Sequence, residues 1–265
     1  MHPSLKFLGF LAVVSLCAPS ESHAACASPD ALGVSRTLVV NTSAGLEVGS
    51  IQYPGRLALQ DMEVVLTFDD GPFPGPTEAV LDALREQCVL ATFFSVGRMA
   101  KAYPEVSRRE LAEGHTIGTH SNTHPESLAD LPYDEAAADI DRGIVNVSRA
   151  LGQPAAPFFR FPGLGHSHAL RRKLAATGIG VFSADAMGYD WTGISSDKIR
   201  LRAIQQLFEH RGGILLLHDI HYKTAQMLPQ LLRDLKTAGF HIVHIVPTRD
   251  PVPVAALRTS VTTFH

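Results

Sequence analysis

The sequence predicts an α/β fold, a single domain built as an irregular (β/α) barrel of about seven strands. Three observations carry that expectation. Seven apolar runs of strand length alternate with stretches of helical periodicity. Polar constellations sit at the ends of those runs, where a barrel gathers its chemistry. The 265 residues, 45% of them hydrophobic, can bury one substantial core without a second domain. Periodicity alone would also suit a doubly wound sheet; seven strand candidates with intervening helices favour the barrel.

In chain order, the N-terminus reads as an export leader over residues 1–24. Lys6 precedes an apolar stretch from Phe7 to Ala18, and Ser22-His23-Ala24 offers a small-residue cleavage site, so the mature chain is expected to start near Ala25. The stretch is shorter than a membrane span, although an uncleaved anchor is the alternative. Leu16 before Cys17 is too large for a lipoprotein cleavage site. The protein is therefore expected to be exported, periplasmic or extracellular, and to keep no stable membrane span once the leader is removed. Residues 25–60 carry Gly, Pro and Ser without helical period and read as an extended arm with one strand near Thr37 to Val40.

The body, residues 61–247, supplies the strands: Val64 to Phe68, Ala91 to Val96, Thr116 to Gly118, Phe158 to Phe161, Ile179 to Ser183, Ile214 to Leu217 and His241 to Val246. Between them, Ala137, Ile140, Ile144, Val147 and Leu151 recur at helical spacing, with Gly152 where a C-cap belongs. Leu170, Leu174 and Gly178 repeat the pattern. The tail, residues 248–265, has prolines and no motif. Export would allow Cys26 and Cys88 to form a disulfide tying the arm to the body, and neither has metal-site spacing.

A net charge of −3 and a pI near 6.5 argue against a nucleic-acid or anionic-membrane partner. The short basic runs Arg108-Arg109 and Arg171-Arg172-Lys173 lie in helical patterns and read as solvated faces.

Five segments carry the chemistry. The first runs the strand Val64 to Phe68 into Asp69-Asp70-Gly71-Pro72. Side chains alternate faces along a strand, so adjacent aspartates cannot point the same way unless the strand ends there, and Gly71-Pro72 ends it. Two carboxylates so held can divide a task, one binding a cation and one moving a proton. A plain turn would need only one of them. The second, Thr119-His120-Ser121-Asn122-Thr123-His124-Pro125, sets two imidazoles four residues apart, able to reach one metal ion. With one Asp they leave open coordination positions, as catalysis requires; two surface histidines are the alternative in a chain with thirteen.

The third segment, Phe158 to Gly163, holds Arg160, which could equally be a structural ion-pair partner. The fourth runs from Asp185 to Asp190-Trp191, and Trp191, the only Trp, could simply be core. The fifth ends the run Ile214 to Leu217 with His218-Asp219. A histidine beside a carboxylate can be tuned as an acid or base, or can merely bond backbone at a strand end.

In this order, the five segments resemble the polysaccharide deacetylases of the NodB-homology type, carbohydrate esterase family 4, over roughly Asp61 to Val246. The resemblance implies Asp69 as catalytic base, Asp70, His120 and His124 as metal ligands, and Arg160 as the group orienting the base. It further implies Asp190-Trp191 beside the site, with Asp190 supporting His218 as general acid, and Leu216 in the fifth motif. Many members carry Tyr after the proline of the third motif, where this chain has Gly163 after Pro162. The backbone N–H that serves as oxyanion donor survives that change; the aromatic wall beside the acetyl pocket does not.

The implied activity is metal-dependent removal of acetyl groups from N-acetylglucosamine-containing chains, chitooligosaccharide or peptidoglycan, by a monomer acting on an acetylated glycan. Amide hydrolysis needs a polarised carbonyl, a water of lowered pKa (about 7 in the zinc case) and a proton for the leaving amine. Asp69 and His218 would move the protons. Zinc is the default metal, although cobalt and nickel suit the same donors. O-acetyl xylan esterase activity on the same scaffold is the main alternative, and a non-catalytic glycan-binding protein a further one. A non-heme iron oxygenase also uses two histidines and a carboxylate, but gives no reason for Asp69 or His218.

Overall fold

The computed structural model describes residues 30–248; the expected leader, Cys26 and the tail from residue 249 lie outside them. The strands are β1 (Arg36–Val40), β2 (Glu47–Val48), β3 (Glu63–Asp69), β4 (Thr92–Ser95), β5 (Thr116–Thr119), β6 (Phe158–Phe159), β7 (Gly180–Phe182), β8 (Ala186–Met187), β9 (Gly212–His218) and β10 (His241–Pro247). The helices are α1 (Pro76–Glu86), α2 (Gly97–Ala102), α3 (Pro104–Ala112), α4 (Tyr133–Leu151), α5 (His168–Ala176), α6 (Ser196–His210) and α7 (Tyr222–Thr237).

Among the described residues all strand pairings are parallel. From β3 they run through β4, β5 and β6 to β7; three residues further on, β8 pairs β9, which returns to β3. The barrel is irregular because β7 and β8 share one chain run whose start pairs β6 and whose end pairs β9. Parallel strands covered on both faces read as continuous apolar runs, and all seven residues of β3 are buried.

The alternation along β3 decides what each face does. Val64, Leu66 and Phe68 pack in the layer that includes Leu81, Leu84, Leu228 and Leu232 of α1 and α7. Val65 turns the other way, into a cluster with Phe94, Phe158, Phe182 and Ile214. By the same period Thr67 and Asp69 face the barrel interior.

The helices follow from their stripes. In α4 the buried Ala136, Ile140, Ile144, Val147 and Leu151 form one face, and the helix stops at Gly152, whose φ of 74° is the left-handed C-cap conformation. The arm joins the sheet system: β1 pairs β10 along its length and β2 pairs β7. Val40, Val243 and Ile245 pack with the interior cluster and close the N-terminal end of the barrel. Strands β2 and β8 went unanticipated, since two residues define no period. Cys88 is disulfide-bonded; Cys26, its expected partner, lies outside the described residues. No described helix is long and apolar enough to cross a membrane.

Candidate active site

The C-terminal ends of β3, β5, β6 and β9 bring the motif residues together. Strand β3 delivers Asp69, and the chain then turns through Asp70 at φ 77° into Gly71. Gly71 is required by close approach: a Cβ there would stand 2.0 Å from the Asp219 carboxylate. Strand β5 delivers His120, 2% exposed, whose Nδ1 lies 2.7 Å from the Arg160 carbonyl. Donating to that carbonyl places the proton on Nδ1 and leaves the Nε2 lone pair facing the aspartates.

His124 follows on a loop that α4 holds from below. Asp139 accepts from Asn122 N (2.9 Å), Thr123 N (3.1 Å) and Thr123 Oγ1 (3.0 Å). The sequence reading missed Asp139; its signal was a carboxylate on the otherwise apolar face between Ala136 and Ile140.

Asp70, His120 and His124 each offer one ligand atom, all within 4.8 Å of one another. Asp70 Oδ1 stands 3.1 Å from His124 Nε2 and 3.4 Å from His120 Nε2. That oxygen is buried and makes no hydrogen bond. A buried carboxylate oxygen without a partner is costly in an otherwise satisfied structure, and two imidazole nitrogens beside it are the donor set of a catalytic cation site. Burial works to raise the Asp70 pKa, but His124, His120 and His218 outweigh it and hold the group well below the usual carboxylate range.

Asp69 is 2% exposed, and its Oδ1 accepts from Arg160 Nη1 at 2.7 Å. Arg160 is fully buried, donates also to Thr67 Oγ1 (2.8 Å) and the Ser183 carbonyl (2.9 Å), and lies 4.3 Å over the Phe94 ring. Burial lowers its pKa against the opposing pull of Asp69. The second oxygen of Asp69 lies 3.9 Å from His120 Nε2, on the side of the ligand cluster.

Across the site, His218 ends β9. Its Nδ1 is 2.8 Å from Asp190 Oδ1, and its backbone N–H donates to Asp190 Oδ2 at 2.7 Å. Thr224 adds a third bond to the same carboxylate at 2.5 Å. Burial works to lower the His218 pKa, but the hydrogen bond and charge of Asp190 dominate and push it up to about 9. Its Nε2 stands 4.0 Å from Asp70 Oδ2. Trp191, 47% exposed, meets the His218 ring edge-on at 5.2 Å.

Leu216 packs with Ala184 and Met187, with Leu164 and Tyr189 against them, in a small apolar cluster. Gly163 adopts φ 56°, ψ 14° in the short 3-10 turn Pro162–Leu164, and a Cβ there would meet the Glu126 carbonyl at 3.0 Å. That left-handed conformation suits glycine at this position. Asp185, which the sequence reading left out of the site, lies elsewhere: it accepts from Ser50 N and Oγ and from Ile214 N, near the start of β9. His221, 5.8 Å from His218, was also missed.

Residues 58–182 match the family model described as polysaccharide deacetylase. A chitooligosaccharide deacetylase of Azorhizobium caulinodans is 32% identical over 62% of this chain and 77% of its own. The chain belongs to the polysaccharide deacetylase family. Among solved structures, a Bdellovibrio bacteriovorus peptidoglycan deacetylase superposes with a TM-score of 0.73 at 34% identity, covering 82% of this chain and 59% of that one. A family 4 carbohydrate esterase from Streptomyces lividans, in complex with acetate, gives 0.62 at 30%, covering 68% and 91%. The polysaccharide deacetylases are metalloenzymes, and Asp70, His120 and His124 form a set able to hold a cation. The family match ends before Asp190 and His218, so those two rest on the geometry above.

Proposed function

We propose that this chain is a divalent-metal-dependent deacetylase that hydrolyses the N-acetyl groups of N-acetylglucosamine-containing chains, chitooligosaccharide or peptidoglycan. The observation that carries the reading is the buried, unbonded Asp70 Oδ1 flanked by two imidazole nitrogens, with a buried carboxylate on one side and a cationic histidine on the other. Asp70, His120 and His124 would hold the cation, zinc by default and cobalt or nickel as alternatives. Such a cation supplies Lewis acidity that polarises the acetyl carbonyl and lowers the pKa of water.

The chain's own residues do the rest. Asp69, oriented by its hydrogen bond from Arg160, takes the proton from the attacking water. The developing oxyanion receives the Gly163 N–H, a contribution of about 3 kcal/mol where such a donor is well placed. His218, kept cationic by Asp190, gives its proton to the departing amine, without which the amine is a poor leaving group. Leu216 and its neighbours shape an apolar pocket for the methyl group. Trp191 and Phe73 (39% exposed) stand on the loops that follow β8 and β3, and Tyr222 (70% exposed) opens α7 after β9. Exposed aromatic faces on the rim suit sugar rings, which supports a glycan chain rather than a small amide. We further read the chain as an exported monomer, with a leader over 1–24, an arm over 25–60 and the catalytic domain over 61–247.

The test is acetate release by the protein starting at Ala25, metal-stripped and then zinc-restored, on chitooligosaccharides, peptidoglycan and acetylxylan side by side. Zinc-dependent release from an N-acetylglucosamine polymer is the expected result. Release from acetylxylan alone would move the activity to the esterase reading, and no release by the metal-loaded protein would contradict catalysis.

A further inference from the structure

The arm ahead of the barrel reaches the catalytic end. Gly49 to Tyr53 form a tight turn, with Gln52 N and Tyr53 N both bonded to the Gly49 carbonyl at 3.1 and 2.9 Å. The turn is docked on the run between β7 and β8. Ile51 N donates to the Ala184 carbonyl at 3.0 Å, and Ser50 N and Oγ donate to Asp185 Oδ1 at 2.8 and 2.6 Å. From this platform the Gln52 side-chain amide donates to the Leu164 carbonyl and to His166 Nδ1, the latter at 2.8 Å. Gln52 lies ahead of the residues that match the family model.

What Gln52 grips is an unusual piece of backbone. Gly163 and Leu164 are consecutive left-handed residues, φ 56° and 60°, and leucine rarely adopts that conformation. A conformation of this kind persists only where its surroundings over-determine it. The peptide unit between Leu164 and Gly165 is held from both sides. Its carbonyl accepts from Gln52, and its N–H, on Gly165, donates to the Pro162 carbonyl at 3.1 Å. That Pro162 carbonyl belongs to the same planar peptide unit as the Gly163 N–H, so fixing one fixes the other.

We infer that Gln52 is a positioning residue for catalysis: through two linked peptide units it sets the direction of the Gly163 N–H. The same grip holds the Leu164 side chain against Met187 and Leu216. The inference rests on the reading of Gly163 as oxyanion donor. It makes the arm part of the catalytic apparatus, through a side chain outside the motifs.

The experiment compares Gln52→Ala and Gln52→Glu with the wild type, each as full mature chain loaded with zinc. Glutamate keeps the length but sets an acceptor against the Leu164 carbonyl. Both variants are expected to lose about five- to tenfold in kcat, the worth of one hydrogen bond, with KM within twofold and zinc affinity and Tm unchanged. Amide exchange at Gly165 should quicken about tenfold or more while Phe159 in β6 stays protected. Unchanged Gly165 exchange overturns the inference, as does faster exchange with unchanged kcat, or a kcat loss that merely tracks lowered Tm or zinc affinity. A wild type that releases no acetate contradicts the catalytic reading instead, and Gly165 exchange still decides whether Gln52 holds the turn.

Discussion

The two ends of β3 each carry buried acid, and they are treated in opposite ways. At the start, Glu63 is 5% exposed and accepts from Arg36 Nε (2.7 Å), Arg36 Nη2 (2.6 Å) and Gln60 N (2.7 Å). The Arg36 hydrogen bond holds its carboxyl below the usual range. Both of its oxygens are occupied, so nothing remains for a substrate. At the other end, Asp69 spends one oxygen on Arg160 and turns the other toward the ligand cluster, while Asp70 keeps a buried oxygen with no hydrogen bond at all. Along β3, burial does not separate the structural carboxylate from the chemical ones; the hydrogen-bonding capacity left over beside the two imidazoles does.

Several changes would break or sharpen this contrast, and they differ in size. His124→Ala removes a ligand, so zinc affinity should fall by about 100-fold or more, and activity should return only at high zinc; isothermal titration measures it. His218→Ala should cost about 100-fold on N-acetyl substrates and much less on activated aryl esters, whose leaving groups need no proton. Equal losses on both would remove the acid role from His218.

The pH dependence follows from the sign of one shift. His218 is raised to about 9, so it is protonated and competent below that pH, and kcat should fall as pH rises through about 9. Asp190→Asn withdraws the group that raises it, and the falling limb should move toward lower pH. A limb that stays in place would show that another group sets it.

The smallest effect concerns a buried carboxyl pair outside the chemistry. Glu110 is fully buried with neither oxygen bonded, and burial together with the nearby Asp219 raises its pKa well above the ordinary value. The folded protein therefore retains a proton that the unfolded chain releases above about pH 4.5. Stability must decline as pH rises from there. Glu110→Gln should stabilise the protein by about 1–2 kcal/mol at pH 8, with the gain vanishing near pH 4, as read by denaturant unfolding at both values.

The barrel was legible because buried parallel strands spell themselves as apolar runs, and each of the seven anticipated runs contains a strand. The motif residues were legible because strand ends that stop in Asp, His or Arg have few structural reasons to do so. What the sequence hid depends on partners far along the chain. Nothing local marks Gln52 as a neighbour of Leu164, 112 residues away, or Thr224 as a donor to Asp190. Asp139 sits within a helical stripe, and nothing local marks it as the anchor of the histidine loop. The substitution of glycine for an aromatic after Pro162 read as a loss, whereas a left-handed backbone at Gly163 calls for it.

The division of labour along β3 is tested most directly by measuring Glu63→Gln and Asp69→Asn together, each for zinc content, unfolding free energy and acetate release. Asp69→Asn should bind zinc and fold as the wild type does while losing about 10²- to 10⁴-fold in turnover. Glu63→Gln should lose about 1–2 kcal/mol of stability with kcat unchanged. If both variants lose stability and turnover in proportion, the two ends of the strand serve the same purpose and the account is wrong.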